Sequence, residues 1–457
     1  MTDDLEATMV NLFAHSQRQL AELADSVIAQ AIQAGASAAQ VMFSESNGLL
    51  IEMRQGRLRA RTRDAQSGMS LTVYRGQHQG TTSTTDFSPA RLSETVQAAC
   101  RIAGYTGEDT FAGLPPAQYQ CQAPRELDLW HPWAVDETGA QALAQRIESG
   151  IASAGAGVVS DGAWVRSGQS QWFLMNSQGF AQGGRQTSHV MSAKALARKA
   201  GRSQLDFWYS QSPLAPSLMT PEAIGRRAGS GALAALDVAP LSGSRRCPVL
   251  FDARSALSLL EHLVQAAGGA ALYRKNSFLA GRLGQRIFSE HISVEEDPFI
   301  PQGLASRAFD GDGISGLARR VVDNGILRGF FLSAYAARRL GMEPTGNGSG
   351  PGNLSLRSRR TQVSDDFSAM VKKLHTGLLV TSFSGGGARL INGDYSRSLR
   401  GFWVEEGEIR HSVDGVTVAG NLGEIFLNIV AVGADTLTQG ALTSGSVLID
   451  SLQVAGR

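Results

Sequence analysis

The sequence predicts an α+β protein, in which a mixed helix and antiparallel-sheet domain over residues 1–240 precedes a β-rich domain over residues 241–457. Two observations predict this class. In the first half, an apolar pattern of helical period is followed by alternating, β-favouring segments, and this order occurs twice. In the second half, short β-favouring segments are separated by Asn-Gly and Glu-Gly pairs, which are typical of tight hairpins.

The first domain begins with an amphipathic helix over residues 15–35, in which Leu20, Leu23, Val27 and Ala31 recur at helical spacing. Four alternating segments follow, and the Asn-Gly and Gln-Gly pairs between them predict a meander of short strands. The next helix is predicted over the segment PARLSETVQAACRIAG.

A second helix-then-strand block follows a proline-rich, irregular connection over residues 107–135. The predicted helix is ETGAQALAQRIESGIASAG, and the predicted strands lie within GVVSDGAWVRSGQSQWFLMNSQGFAQGG. The repeated order indicates two similar halves within the first domain.

The second domain begins after residues 237–247, where Pro and Gly mark a boundary. The segment PVLFD predicts a strand that leads into the helix LLEHLVQAAGG. Asp252 can cap the start of this helix, and Gly268 and Gly269 end it. Three hairpins are predicted downstream, at the Asn-Gly pairs of VVDNGILRG and RLINGDYSR and at the Glu-Gly pair of WVEEGEIRH.

Composition indicates a globular protein of a reducing compartment. The 42 basic and 41 acidic residues nearly cancel to +1, which provides no long-range field for nucleic acid or anionic membranes. Cys100, Cys121 and Cys247 are widely spaced and form no CxxC motif, so neither a disulfide framework nor a thiolate zinc site is indicated. The acidic N-terminus and the absence of a long apolar run predict a cytoplasmic protein without a membrane span.

The Glu-His pair of LLEHLVQAAGG looks like part of a metal site. A zinc protease helix needs two histidines about one turn apart and a carboxylate beside the first. Here Glu261 precedes His262, and none of the eight histidines has another four or five residues away. A core helix with a surface or satisfied histidine is therefore favoured, although zinc ligands from distant segments stay open.

Two glycine-rich segments, residues 345–353 and 382–390, could suggest a ligand loop. Neither carries the Lys-Ser/Thr ending of a phosphate-binding loop, and neither provides the GxSxG turn of a serine hydrolase. Glycines do let another backbone come close, as when an extended peptide lies along a sheet edge. Gly385, Gly386 and Gly387 are therefore the predicted substrate-binding residues.

Motifs across the second half resemble the TldD/PmbA metalloprotease family. They are FDGDGISGLARRVVDNGILRGFFLSAYAARRLGMEPTGN and INGDYSRSLRGFWVEEGEIRHSVDGVTVAGNL. The chain looks closest to the PmbA branch, also called TldE, and the resemblance covers nearly all of it, most securely from residue 247 onward. It implies a two-domain α+β fold and a cytosolic zinc protease, built from TldD-like and TldE-like subunits, that acts on unfolded or extended peptides.

The resemblance also implies that the zinc site is missing here. A TldD-like subunit carries a His-Glu-x-x-x-His helix and a late cysteine ligand. Aligning the shared Arg-Lys pair, here residues 274–275, places Glu261 and Ala266 at the two histidine ligands. His262 then stands at the catalytic glutamate, and Ser444 stands at the cysteine. This chain is therefore expected to hold no catalytic residue and no zinc, and to depend on the zinc of a TldD-like partner.

Two other functions stay open. Members of this family have also been linked to the regulation of DNA gyrase, although the near-zero net charge argues against direct contact with DNA. The other alternative is an autonomous hydrolase. Self-association of the chain without its partner is open as well.

Overall fold

The computed structural model describes residues 12–456, and its chain forms two units. The first unit contains residues 12–196, 206–230 and 308–315, and the second contains residues 197–205, 231–307 and 316–456. Helices and strands both contribute heavily to the fold, and the C-terminal half is rich in strands, so the predicted α+β class is confirmed. Among the described residues, no helix is long and apolar enough to cross a bilayer.

The elements of the first unit form two successive blocks, each with a helix, three strands and a second helix. The helices are α1 Gln17–Gln33, α2 Pro89–Tyr105, α3 Glu137–Ala152 and α4 Pro221–Ala234. The strands are β1 Ala38–Arg54, β2 Arg57–Arg75, β3 His78–Thr84, β4 Val158–Asn176, β5 Ala181–Lys199 and β6 Arg202–Ser212. The six strands make one sheet of order β3-β2-β1-β4-β5-β6, so the two blocks meet at the antiparallel pair β1–β4.

The predicted meander is present as the antiparallel series β1-β2-β3, but its predicted division into four segments is wrong, because β1 and β2 are continuous strands of 17 and 19 residues. The chain turns at Gln55-Gly56, where φ is 50° and 72°, and it stays extended through Asn47-Gly48. A Cβ on Gly48 would lie 2.9 Å from the Asp64 Oδ1 and 3.2 Å from the Ser167 carbonyl oxygen. This glycine therefore serves close strand packing instead of a turn.

The second unit contains five helices and twelve strands among its described residues. The helices are α5 Ala253–Ala267, α6 Gly269–Tyr273, α7 Ala334–Leu340, α8 Phe367–Leu374 and α9 Leu422–Leu427. The strands up to β12 are β7 Ser244–Phe251, β8 Ile292–Asp297, β9 Arg319–Asp323, β10 Ile326–Leu327, β11 Asn353–Ser358 and β12 Gly377–Arg389. The remaining strands are β13 Asp394–Glu405, β14 Glu408–Asn421, β15 Ile429–Val432, β16 Leu437–Gln439, β17 Leu442–Ser444 and β18 Val447–Ala455.

Two six-stranded sheets build this second unit. One has the order β10-β9-β8-β11-β17-β16, and the other has the order β14-β13-β12-β7-β18-β15. An additional pairing of β14 with β18 closes β7, β12, β13, β14 and β18 into a ring of strands. Helix α5 contacts β7 and β12 of the ring and β16 and β17 of the other sheet, so it lies between the two sheets.

The hairpins predicted for the second half are confirmed. Asn324-Gly325 joins β9 to β10, and Glu406-Gly407 joins β13 to β14, with positive φ at all four residues. The segment that contains Asn392-Gly393 joins β12 to β13. The strand predicted over PVLFD and its capped helix are also present, as β7 and α5.

A buried ion pair holds the glycine-rich segment 345–353 in place. The side chain of Glu296 is 2% exposed, and its carboxylate accepts hydrogen bonds from the Arg319 Nε (2.9 Å), the Asn347 Nδ2 (2.7 Å) and the Gly352 backbone N–H (2.7 Å). Arg319 also donates to the Phe330 carbonyl at 2.7 Å. The carboxylate of Glu296 therefore accepts hydrogen bonds from Asn347 and Gly352 of this segment, and these bonds give the segment a structural role.

We expect Glu296→Ala to destabilise the protein by about 3–5 kcal/mol, because Arg319 would keep a buried charge without a counter-ion. The measurement is urea unfolding at neutral pH. Glu295→Ala is the matched control, because the side chain of Glu295 is 37% exposed and its ion pairs with Arg320 and Arg357 lie at the surface. That variant should lose about 0–1 kcal/mol. Equal losses would contradict the structural role of Glu296.

Candidate functional site

Helix α5 is fixed to the ring of strands by its N-terminal residues. Asp252 caps the helix, and its carboxylate accepts a hydrogen bond from the Ser255 backbone N–H at 2.7 Å. Its own N–H donates to the Val380 carbonyl of β12 at 3.0 Å. The guanidinium of Arg254 donates to the next carbonyl, that of Thr381, at 2.8 Å. The start of α5 is thus held at the point where the pairing of β7 with β12 ends.

The structure distributes the four positions aligned with the zinc site over different environments. Glu261 is exposed, whereas His262 is 7% exposed and Ala266 is fully buried. Residues five apart on a helix lie about 140° apart, which accounts for the different surroundings of Glu261 and Ala266. Ser444 is fully buried on β17, and its hydroxyl donates to the Gly445 carbonyl at 2.8 Å.

These residues do not fit the zinc ion that the resemblance implies for a catalytic subunit. Such a site needs three protein ligands with nitrogen, sulfur or carboxylate donors. Ala266 has no donor atom, and the hydroxyl of Ser444 is already engaged with a carbonyl. Across residues 12–456, no group of three His, Cys, Asp or Glu side chains gathers in a metal-binding arrangement.

His262 instead belongs to a cluster of polar side chains where α5 meets strand β13. Its imidazole packs against the ring of Tyr395 on β13, edge to face, with ring centroids 5.8 Å apart. Arg397 follows on the same face of β13, and its guanidinium carbon lies 4.1 Å from the ring centroid of Phe383. We call His262, Tyr395 and Arg397 the polar cluster.

Burial sets the protonation states in the polar cluster. Desolvation lowers the pKa of His262, the charge of Arg397 lowers this pKa further, and the side-chain amide of Gln265 acts in the opposite direction. Desolvation raises the pKa of the Tyr395 hydroxyl well above its usual value. At neutral pH, His262 is therefore an uncharged imidazole and Tyr395 keeps its proton.

The three predicted substrate-binding glycines lie on an open strand edge. Strand β12 pairs with β7 only over Leu378–Val380, whereas it pairs with β13 along its length. Beyond Val380, the described residues provide β12 with a partner strand on one side only. Gly385 and Gly386 are exposed and Gly387 is half-buried, so the unpaired backbone groups of this segment face an accessible edge.

The three positions differ in whether the fold requires a glycine there. Gly386 has a φ of +78°, and a Cβ there would lie 2.2 Å from the Ser396 carbonyl oxygen, so the hairpin itself needs a glycine. A Cβ on Gly385 or Gly387 would meet no described atom within 4 Å. Internal packing therefore explains Gly386, while the other two leave space beside the strand.

A pocket of about 320 Å³ lies at the end of the β12–β13 hairpin. It is lined by Gly387, Ala388, Arg389, Asp394, Tyr395 and Ser396. The pocket thus connects one of the predicted glycines with a member of the polar cluster.

Sequence reasoning missed Tyr395 and Arg397 as neighbours of His262. Both lie in the segment RLINGDYSR, whose turn was predicted, and the period of two along a strand places them on one face. The signal that could have found them is this pairing of a tyrosine and an arginine two residues apart, directly after a hairpin turn.

Models of one protein family match most of the chain. Models of the PmbA/TldA metallopeptidase match in three parts: domain 1 over residues 39–103, the central domain over residues 130–236 and the C-terminal domain over residues 244–456. The chain belongs to the PmbA/TldD metallopeptidase family. Its α5 helix, the polar cluster and the glycine edge all lie within the part matched by the C-terminal domain.

Individual relatives agree with this family over nearly the full length. The chain is 34% identical over 443 residues to Metalloprotease PmbA of Escherichia coli O157:H7, with 97% of each chain covered. A solved protein of Bacteroides thetaiotaomicron, proposed as a modulator of DNA gyrase, has a TM-score of 0.90 at 24% identity and covers 95% of this chain and 98% of its own. TldE from Thermococcus kodakarensis has a TM-score of 0.82 at 18% identity, with coverages of 95% and 100%. At these identities, the two structures establish a shared fold.

We expect the protein to lose stability as the pH falls from about 7.5 to 5.5, in part because of His262. Its pKa is lower in the folded chain than in the unfolded chain, so the unfolded chain binds more protons below about pH 6.5 and unfolding becomes easier. Urea midpoints measured across this range should fall less steeply for His262→Leu than for the unaltered protein. Identical slopes would show that His262 is not buried as an uncharged imidazole.

Proposed function

We propose that this chain is the non-catalytic, TldE/PmbA-like subunit of a cytoplasmic zinc metalloprotease, and that a TldD-like partner supplies the zinc. The observation that carries the proposal is which residues α5 has at two of its positions. At the positions aligned with the zinc ligands of catalytic relatives, it presents an exposed Glu261 and the methyl group of the fully buried Ala266. The nearby glycine edge of β12 is accessible, so this chain retains a surface for a substrate.

The substrate that suits this edge is an extended peptide. A strand with one unpaired side offers backbone N–H and C=O groups at fixed spacing, and a peptide can add to it as a further strand. Recognition through the backbone does not depend on the peptide sequence. Gly385 and Gly387 leave room for the side chains of such a peptide, because they carry none of their own.

In the proposed assembly, the chemistry supplied by zinc in the partner is polarisation of the scissile carbonyl and activation of a water molecule, with the partner's glutamate as general base. This chain holds and orients the peptide, and none of its residues transfers a proton in the reaction.

The alternative role in regulating DNA gyrase is supported by fold similarity to solved proteins proposed as gyrase modulators, from Bacteroides thetaiotaomicron at 24% identity and from Thermotoga maritima at 25% identity. The formal net charge of +1 provides little attraction for DNA. A mobility shift of DNA caused by the purified chain at low salt, and abolished at higher salt, would favour this alternative.

We expect the chain to co-elute with a TldD-like subunit, and the mixture to contain zinc and to cleave an unfolded peptide. The chain alone should neither bind zinc above background nor cleave the peptide, because its aligned positions lack the ligand set. The measurements are size-exclusion chromatography, metal analysis and peptide digestion on the same samples. Cleavage by the chain alone, without association in the mixture, would instead support the autonomous hydrolase.

We expect Gly385→Val and Gly387→Val to reduce peptide cleavage by the mixture at least about tenfold, because a branched side chain would occupy the space beside the strand edge. Association with the partner and the melting temperature should stay unchanged, since neither new Cβ meets a described atom. Peptide cleavage and co-elution are measured together for each variant.

Gly107→Val is the matched control for these variants. Gly107 also has open space around its Cβ position and needs no positive φ, and it lies outside the second unit. Cleavage should stay unchanged in this control. Gly386→Val is unsuitable as a probe, because it would distort the hairpin directly. Full cleavage by both Gly385→Val and Gly387→Val would exclude this edge as the peptide site.

A further inference from the structure

The polar cluster contains four buried polar atoms that have no hydrogen-bond partner among the described residues. They are Nδ1 and Nε2 of His262, Oη of Tyr395 and Nε of Arg397. His262 is 7% exposed and Tyr395 is 2% exposed, so both side chains are more than nine-tenths buried. Each unsatisfied buried group lowers the stability of the fold, so several of them in one place indicate a binding site.

The charge of the polar cluster is also unbalanced. Within residues 12–456, no carboxylate lies within ion-pair distance of Arg397, whose guanidinium instead stacks on Phe383. Asp394, at the end of the hairpin, is exposed, and its carboxylate accepts a hydrogen bond from the Asn392 side chain at 2.6 Å. The cluster therefore presents a cation that the chain itself does not neutralise.

The hydrogen-bonding capacity of the cluster is that of a donor site. At neutral pH, Tyr395 offers an O–H, Arg397 offers guanidinium N–H groups, and the uncharged His262 offers one N–H. A ligand that accepts several hydrogen bonds and carries one negative charge would satisfy the donors and balance the charge together. A carboxylate has both properties, and its hydrogen bonds to a guanidinium are charge-assisted.

We propose that His262, Tyr395 and Arg397 form a binding site for a carboxylate, namely the C-terminal carboxylate of an extended peptide lying on the β12 edge. This inference rests on the proposed function, because it takes the edge as the peptide site. The strand register sets the level of the site along the edge: on β13, across β12 from the open side, Arg397 lies opposite Gly386 and Tyr395 lies opposite Ala388. The cluster would then set how far the peptide extends along the edge, so its members are positioning residues.

The test compares two probes on the full chain, alone and mixed with a TldD-like subunit. The first is an N-acetylated hexapeptide of alanine and glycine with a free C-terminus, and the second is the same peptide with a C-terminal amide. Calorimetry should show at least about tenfold tighter binding of the free carboxylate in one or both samples. Tyr395→Phe and Arg397→Gln should reduce this preference to within about twofold.

Thermal unfolding separates a binding role from a structural one. Tyr395→Phe removes a buried hydroxyl without a partner, so the melting temperature should stay the same or rise while the preference is lost. Arg410→Gln removes a positive charge from the neighbouring strand β14, at an exposed position, and should keep the preference. These two variants keep the test decisive even if Arg397→Gln folds poorly.

Several outcomes would overturn the inference. Equal binding of the two peptides, or no binding of either in both samples, would exclude a site for a peptide carboxylate. If acetate binds and Tyr395→Phe abolishes that binding while the two peptides bind equally, the site takes a small carboxylate and the peptide assignment is wrong. Cleavage that depends on the glycine edge but is equal for acid and amide peptides would leave the proposed function intact and reject this inference alone.

Discussion

The burial of helix α5 between two sheets determines most of the second unit. Its sides contact strands of the ring and strands β16 and β17 of the other sheet, so apolar and small side chains fill most of its positions. Its N-terminus is fixed by Asp252, which caps the helix and also binds the Val380 carbonyl. The same bonds fix the point at which β12 leaves β7, and hence the start of the strand edge. The packing of α5 and the accessibility of the β12 edge therefore depend on the same hydrogen bonds.

The inward positions of α5 are filled by side chains that pack against the two sheets. Ala266 packs, and Ser444 satisfies its own hydroxyl on the backbone of the next residue. His262 follows neither solution, because its two nitrogens are buried without a partner in the described chain. It keeps a polar character that packing alone does not require.

Local signals in the sequence were sufficient for α5, its Asp252 cap and the hairpins at Asn324-Gly325 and Glu406-Gly407, because each depends on neighbouring residues. The Asn47-Gly48 pair wrongly indicated a turn. Gly48 instead packs closely against a strand that is distant in the sequence, and no local pattern could reveal that contact. The family was accessible from motifs, whereas the alignment of residues with the zinc positions stays a prediction. The contact of His262 with Tyr395 was not accessible from motifs, because it joins a helix and a strand that lie far apart in the sequence.

The closure of that ring also has a consequence for the order of synthesis. Strand β7 pairs with β18, about 200 residues further along the chain, so its pairing depends on very distant contacts. While the ribosome makes the intervening segment, one edge of β7 has no partner strand. During that interval the apolar residues Val249, Leu250 and Phe251 are available for pairing with other chains. The edge of β7 is therefore protected by its own chain only once the last strand has been made.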